Sequence, residues 1–123
     1  MKLKEMLDYI DDLRPNSYGT DNKLKWINEI EADVVKMICK TEEGKTFVWV
    51  PYKDIDMDKT LLMPNEYSDA YYHYILAKIY YNDDEISRYN NEIQMFNNIY
   101  SQFKAEYTRN HRHASISIHY RKG

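Results

Sequence analysis

The chain has one cysteine, three glycines and three prolines in 123 residues. It nowhere strings together the roughly 20 apolar residues that a membrane-spanning helix requires. Each scarcity excludes something. Cys39 alone forms no internal disulfide, and no basic segment leading into an apolar run opens the sequence, so neither a disulfide-stapled secreted scaffold nor a signal peptide is expected. An intracellular folding site and no membrane partner follow as expectations. The few glycines and prolines, with 43% hydrophobic and 30% charged residues, do not describe a low-complexity or disordered chain. A single globular, soluble domain is expected, burying roughly two thirds of its unfolded surface.

Cations are also scarce over most of the chain. The net charge is -3, but Thr108 to Gly123 holds Arg109, Arg112, Arg121 and Lys122 and no acid, which leaves -7 on the preceding residues. A cationic tail on an acidic body is a statement about partners, because such asymmetry steers association with surfaces of opposite sign.

Tyrosine, by contrast, is abundant. Nine of the 13 lie between Glu66 and Tyr107. There the residues Ile86, Tyr89, Ile93, Phe96, Tyr100, Phe103 and Tyr107 alternate spacings of three and four, which predicts one apolar stripe along a helix. The preceding helix, expected from Glu66 to about Tyr81 with Asn65 as its cap, is apolar on more than one side and so is expected to be buried on most of its circumference. The polar break at Asn82 to Asp84 makes the two antiparallel neighbours, with Asp84 placed to cap the second. Upstream, Leu3, Met6, Leu7, Ile10 and Leu13 predict a short helix ended by Arg14-Pro15. Leu24, Ile27, Ile30, Val34 and Met37 or Ile38 predict a second, capped by Thr20 or Asp21, with Trp26 beside its stripe.

Two stretches read as strand. Thr46 to Val50, after the polar turn Thr41 to Gly44 and before Pro51, predicts a strand or hairpin that leans on the helices or pairs with another chain. Ala114 to Tyr120 alternates Ile116, Ile118 and Tyr120 with Ser115, Ser117 and His119, a pattern suited to addition to another sheet. The expected fold is therefore mainly α: a bundle of about four helices over residues 1–110, a β-hairpin insertion at about 39–52, and a basic extended C-terminal strand or tail over 111–123.

Motifs for chemistry start and fail. Gly44-Lys45-Thr46 resembles the end of a phosphate-binding loop, but the position five before Gly44 is Cys39 where a glycine is needed. Asp54, Asp56 and Asp58 have calcium-loop spacing, but Lys59 and Asn65 stand where glycine and glutamate are required. His111 and His113 have no third ligand nearby in sequence, Cys39 has no adjacent histidine, and no G-x-S-x-G occurs. No catalytic residue, metal site or cofactor is expected, and no enzyme activity. A stronger competitor is nucleic acid, since the basic tail with Tyr120 and its histidines suits phosphate contacts and base stacking. The acidic body weighs against it.

The stretches "LDYIDDLRPNSYGTDNKLKWINEIEADVV" and "LLMPNEYSDAYYHYILAKIYYNDDEISRYNNEIQMFNNIYSQFKAEYTRNH" cover most of the chain. They resemble, in order and spacing, the two helical pairs of the head-tail connector (adaptor, or head completion) proteins of long-tailed bacteriophages, with "RPN", "KLKWINEIE" and "RYNN" as shared pieces. The resemblance implies a virion structural protein, made in the host cytoplasm and placed at the portal vertex. It would form a homo-oligomeric ring under the portal protein after packaging and offer a platform to a tail or stopper protein. It also implies a portal-binding C-terminal extension, here Arg112, His113, Ser115, Ile116, Ile118, Tyr120, Arg121 and Lys122. Ring closure needs two different patches on each subunit, and Tyr67, Tyr71, Tyr74, Tyr81 and Trp26 are the candidate subunit interface. An acidic body would let genomic DNA pass without specific binding. The alternative is a small helical nucleic-acid-binding or regulatory protein that uses its basic tail.

Overall fold

The structure, a computed structural model, describes residues 1–122, with side chains described through His111. Helix α1 spans Leu3–Leu13 and α2 spans Thr20–Cys39, followed by α3 over Asp69–Asn82 and α4 over Ile86–Lys122. Short 3-10 turns at Asp54–Asp56 and Asn65–Tyr67 punctuate the long α2–α3 connection. The helical bundle expected from periodicity is present.

In α1 the buried Leu3, Met6, Leu7 and Ile10 lie on one stripe, whereas Leu13 at its end is exposed. The Glu5 carboxylate accepts the Lys2 N–H (2.9 Å) at the start, and Pro15 stops the helix. Helix α2 buries Leu24, Ile27, Ile30 and Val34 and packs on α3, with Gly19 rather than Thr20 or Asp21 at its N-cap. A nearly buried Lys23 ties it to Asp11 of α1 (2.5 Å). Helices α3 and α4 form the main contact of the bundle, antiparallel across the turn. Tyr71, Ile75, Leu76 and Ile79 bury on one side of it, and Phe96, Tyr100 and Phe103 on the other. Along α4 the rings of Phe96, Tyr100, Phe103, Tyr107 and His111 follow one another at 5.2, 6.2, 6.2 and 3.8 Å, so the expected stripe is an aromatic ladder. Between the helices His73 Nδ1 meets Glu92 Oε2 at 2.6 Å.

The β expectations fail for lack of ladder partners. Thr46 closes a turn and Phe47 to Val50 has no regular secondary structure; of the segments that could pair with it, Val35 to Cys39 belongs to α2 and the chain near Leu61 is engaged by the N-terminal segment. Leu61 N–H donates to the Met1 carbonyl (2.9 Å), Leu3 N–H to that of Lys59 (2.9 Å), and Lys2 and Thr60 form an isolated antiparallel bridge. No hairpin exists among the described residues. Instead the Asn28 amide serves Tyr52 as a neighbouring strand would, its Oδ1 accepting the Tyr52 N–H (2.9 Å) and its Nδ2 donating to the Tyr52 carbonyl (3.1 Å). The turn before it folds onto the end of α2, where a Cβ on Gly44 would lie 2.2 Å from the Ile38 carbonyl oxygen, so only glycine fits.

The C-terminal strand is likewise replaced by helix, since α4 continues unbroken across 111 to Lys122. A solitary strand leaves its main-chain groups unpaired, whereas continuing an existing helix satisfies them within the segment. The side chains of Arg112, His113, Ser115, Ile116, Ile118, Tyr120, Arg121 and Lys122, assigned to portal binding, lie outside the described residues.

Two cap expectations also change. Asn65 opens a 3-10 turn rather than capping α3, with Tyr67 N–H donating to the Pro64 carbonyl (2.9 Å) and Ser68 Oγ to that of Asn65 (2.8 Å). Asp84 belongs to the end of α3: it takes a left-handed conformation (φ 62°), while Glu85 N–H reaches back to the Tyr80 carbonyl (2.9 Å) and its own N–H to that of Tyr81 (3.2 Å). This is a Schellman closure with aspartate where glycine is favoured. Asp84→Gly should therefore raise stability by about 0.5–1 kcal/mol and a β-branched Asp84→Val should lower it by more than that, as read from urea denaturation midpoints.

Candidate functional site

The unusual site of the molecule is a carboxylate with no cation. Glu31 on α2 is 0% exposed, and no basic side chain pairs with it among the described residues. Its Oε2 accepts the Tyr52 hydroxyl (2.6 Å) and the Leu62 N–H (2.9 Å), and its Oε1 accepts the Tyr71 hydroxyl. Tyr71 is fixed in that role because its own oxygen accepts the Met63 N–H (2.9 Å), which turns the phenolic proton toward Glu31. One carboxyl thus joins α2, α3 and both ends of the segment Tyr52–Met63. Leu61 and Met63 beside it are core residues.

Electrostatics follow from this burial. Loss of water pushes the Glu31 carboxyl above the usual carboxylate range, and the three donated hydrogen bonds oppose that without cancelling it. Burial first, then the hydrogen bonds and charges of Glu31, raises the phenols of Tyr52 and Tyr71 above the ordinary tyrosine value. The same pattern recurs two residues away along α2 on either side of Glu31. Tyr74 donates to Glu29 (2.8 Å) and Tyr100 to Asp33, both phenols raised chiefly by burial. Three successive acids on α2 are therefore read by tyrosines from the connection, α3 and α4.

Outside this cluster a shallow groove of about 670 Å³ runs along α2, lined by Leu24, Lys25, Asn28 and Glu29 on the helix and by Tyr52, Lys53 and Asp54 on the connection. It has the floor for a docked side chain but no converging acid, base and nucleophile. Among the described residues no group of three or more His, Cys, Asp or Glu is gathered as for a metal ion. Asp54, Asp56 and Asp58 lie on the 3-10 turn and its flank, where the Asp56 carboxylate is used by the Lys53 N–H (2.8 Å). Gly44-Lys45-Thr46 is the turn against α2. Cys39 is partly buried with its thiol 3.7 Å from the Phe47 carbonyl. His111 stacks on Tyr107 and lies 3.5 Å from Glu43, while His113 is outside the described residues.

The residues assigned to a subunit interface scatter. Tyr71 and Trp26 are buried by the chain's own helices, Trp26 against the edge of Tyr18, so neither has area left for a neighbour. Tyr67 and Tyr74 are half-buried, their hydroxyls on Glu106 and Glu29. Tyr81 alone of the five is largely exposed, at 57%. Among the described residues the other apolar side chains at the surface are Phe47, Val48 (83% exposed), Val50 and Ile55 on the connection, Leu13 and Ile86 at helix ends, Tyr9 on α1 and Met95 on α4.

Glu31 itself was missed by reading the apolar residues alone. Its signal is positional: it stands seven after Leu24, four after Ile27 and three before Val34, inside the stripe, where a charged residue has to be met by donors. No protein-family model matches the chain, and neither the curated proteins nor the solved structures contain a match. No helix among the described residues is long and apolar enough to cross a membrane.

Glu31→Ala should cost about 3 kcal/mol in chemical denaturation, since it strands two phenols and one N–H inside the protein. A second outcome concerns alkali. Acids with raised folded-state pKa values contribute stability that is intact below the ordinary tyrosine value and lost as the pH climbs above it. In an ultraviolet titration Tyr52, Tyr71, Tyr74 and Tyr100 should ionise late, above the ordinary tyrosine value, and together with loss of helical circular dichroism.

Proposed function

We propose that the chain is a structural subunit of a bacteriophage head-tail connector, assembling side to side into a ring that docks on the portal protein and receives a tail or stopper protein. The observation that carries the reading is the length of α4. At 37 residues it measures about 55 Å, against about 21 Å for the 14 residues of α3. A compact body with one long helical arm suits a ring subunit whose arm reaches a second ring. The arm also holds the cations of the C-terminal segment, Arg109, Arg112, Arg121 and Lys122, while the remainder is acidic. In this reading the arm docks as a helix, and the strand-addition mode is set aside.

For the ring contact, the burial of Tyr71 and Trp26 directs the proposal to other residues. Tyr81 and Ile86 beside the α3–α4 turn supply one exposed apolar patch, and Phe47, Val48 and Val50 on the connection a second. Two unlike patches are what a head-to-tail, closing interface uses. The acidic body suits a passage through which DNA slides without adhering.

The test is truncation after His111 with purified portal protein. The full chain should co-migrate with portal rings in native electrophoresis and be seen as added density in electron micrographs, and the truncated chain should keep its helical spectrum but lose docking. Unchanged docking of the truncated chain contradicts the role of the arm. If the full chain ignores portal yet binds DNA with an affinity that falls steeply with salt, and truncation removes that, the nucleic-acid reading replaces this one.

A further inference from the structure

Tyrosine, carboxylate and cation come together repeatedly in this molecule. Tyr74 donates its hydroxyl to Glu29 (2.8 Å), and the Lys78 ammonium lies 5.2 Å from the Tyr74 ring centre and 3.6 Å from the same carboxylate. Tyr100 donates to Asp33 and carries Lys104 at 4.8 Å from its ring centre. Tyr80 lies under Arg14 and Arg88 at 5.1 and 5.7 Å, and both guanidinium groups reach Glu85, at 3.5 and 3.7 Å. In each case a cation sits where the negative face of a ring and a carboxylate act together.

A fourth such place has the rings and the carboxylates but a different outcome. Phe103, Glu106, Tyr107 and Asn110 share one face of α4 by their spacing, and the 3-10 turn Asn65–Tyr67 brings Glu66 and Tyr67 against that face. Between them lies an open pocket of about 90 Å³. Its walls are set in advance. The Tyr67 ring packs on Phe103 at 5.5 Å while its hydroxyl donates to Glu106 Oε2. Tyr107 is held between Phe103 at 6.2 Å and the stacked ring of His111 at 3.8 Å. His111 is itself engaged, its Nδ1 donating to the Tyr107 carbonyl (2.8 Å) and its Nε2 lying 3.5 Å from Glu43. Among the residues with described side chains, no Lys, Arg or His pairs with Glu66 or Glu106, and no Lys or Arg lies over Tyr67, Phe103 or Tyr107. Arg109, only two residues from Tyr107, is exposed and makes neither contact.

We propose that this pocket receives a lysine or arginine side chain from another protein chain. Size decides against a whole small molecule, since ordinary ligand pockets start at roughly 300 Å³. About 90 Å³ is the room of roughly three water molecules, enough for one ammonium or guanidinium head whose stem stays outside. Charge decides against an apolar tip, which would cover the rings but take water from Glu106 and give nothing back. A cationic head meets both demands, as Lys78 does for Tyr74 and Glu29. The assignment stands on this pocket alone and is independent of the connector reading.

The test titrates the full chain with N-acetyl-arginine methylamide and N-acetyl-lysine methylamide, following the ring protons of Tyr67, Phe103 and Tyr107 by nuclear magnetic resonance. Saturable shifts centred on these three rings are expected. N-acetyl-citrulline methylamide, which keeps the shape of arginine without its charge, should bind about tenfold more weakly, as the summed loss of ring and carboxylate attraction. Tyr107→Leu should weaken the arginine probe about two- to fivefold. Glu106→Gln, which keeps an acceptor for the Tyr67 hydroxyl, should do so to a similar extent, about two- to fivefold. Absence of a saturable shift at the three rings overturns the proposal, as does equal binding of the citrulline probe. Choline binding more tightly than either amino-acid probe overturns it too, by placing a free quaternary ammonium there. These three outcomes are read on the natural protein, so the proposal is decided even if a variant does not fold.

Discussion

One buried carboxylate sets the terms for the rest of the fold. Glu31 lies in the apolar stripe of α2, and in water-free surroundings it has to be met by donors or lose its charge. The donors come from elsewhere in the chain: a phenol from α3, a phenol from the α2–α3 connection and a main-chain N–H just before the α3 approach. Meeting that demand fixes how α3 sits on α2 and where the long connection crosses. It also supplies a reason for a segment without regular structure to lie on the bundle, since the Tyr52 hydroxyl is held by Glu31 and its main chain is paired by Asn28.

The tyrosines become intelligible in the same terms. Their rings fill the seam between α3 and α4, with Tyr74 on Phe96 and Tyr67 on Phe103, and their hydroxyls reach carboxylates on other elements. Tyr71 meets Glu31, Tyr74 meets Glu29, Tyr100 meets Asp33, Tyr67 meets Glu106 and Tyr18 meets Asp83 (2.7 Å). Tyrosine offers the bulk of phenylalanine with one donor at its tip, which matches an acidic chain whose carboxylates face the seam. The density that suggested an interface is mostly an internal device, and Tyr81 is the exposed exception.

This explains what could be read from residues alone. The stripes Leu3 to Leu13, Leu24 to Met37 or Ile38, and Ile86 to Tyr107 are local patterns with a helical period, and the helices carrying them form where that period places them, although Leu13 and Ile86 at the ends are exposed. The β-branched run at Thr46 carries a strand pattern that the fold does not use, because pairing depends on whether a distant segment is free, and Leu61 is already taken by Met1. The alternation from Ala114 to Tyr120 competes with a helix that has already nucleated upstream, and continuing it costs less than starting a solitary strand. Glu31 carried a positional signal, yet its partners Tyr52, Leu62 and Tyr71 lie 21, 31 and 40 residues away, beyond any local pattern. The body-and-arm organisation behind the connector proposal was visible as charge asymmetry, and the helical form of the arm was not.

The dependence of the fold on this carboxyl is tested most directly by a double-mutant cycle between Glu31→Gln and Tyr71→Phe, with stability read from urea denaturation of all four proteins. The two groups share one hydrogen bond across α2 and α3, so the account predicts a coupling energy of about 1–3 kcal/mol. A coupling indistinguishable from zero, with both single variants folded, would contradict it and reduce Glu31 to a tolerated polar residue in an otherwise self-sufficient core.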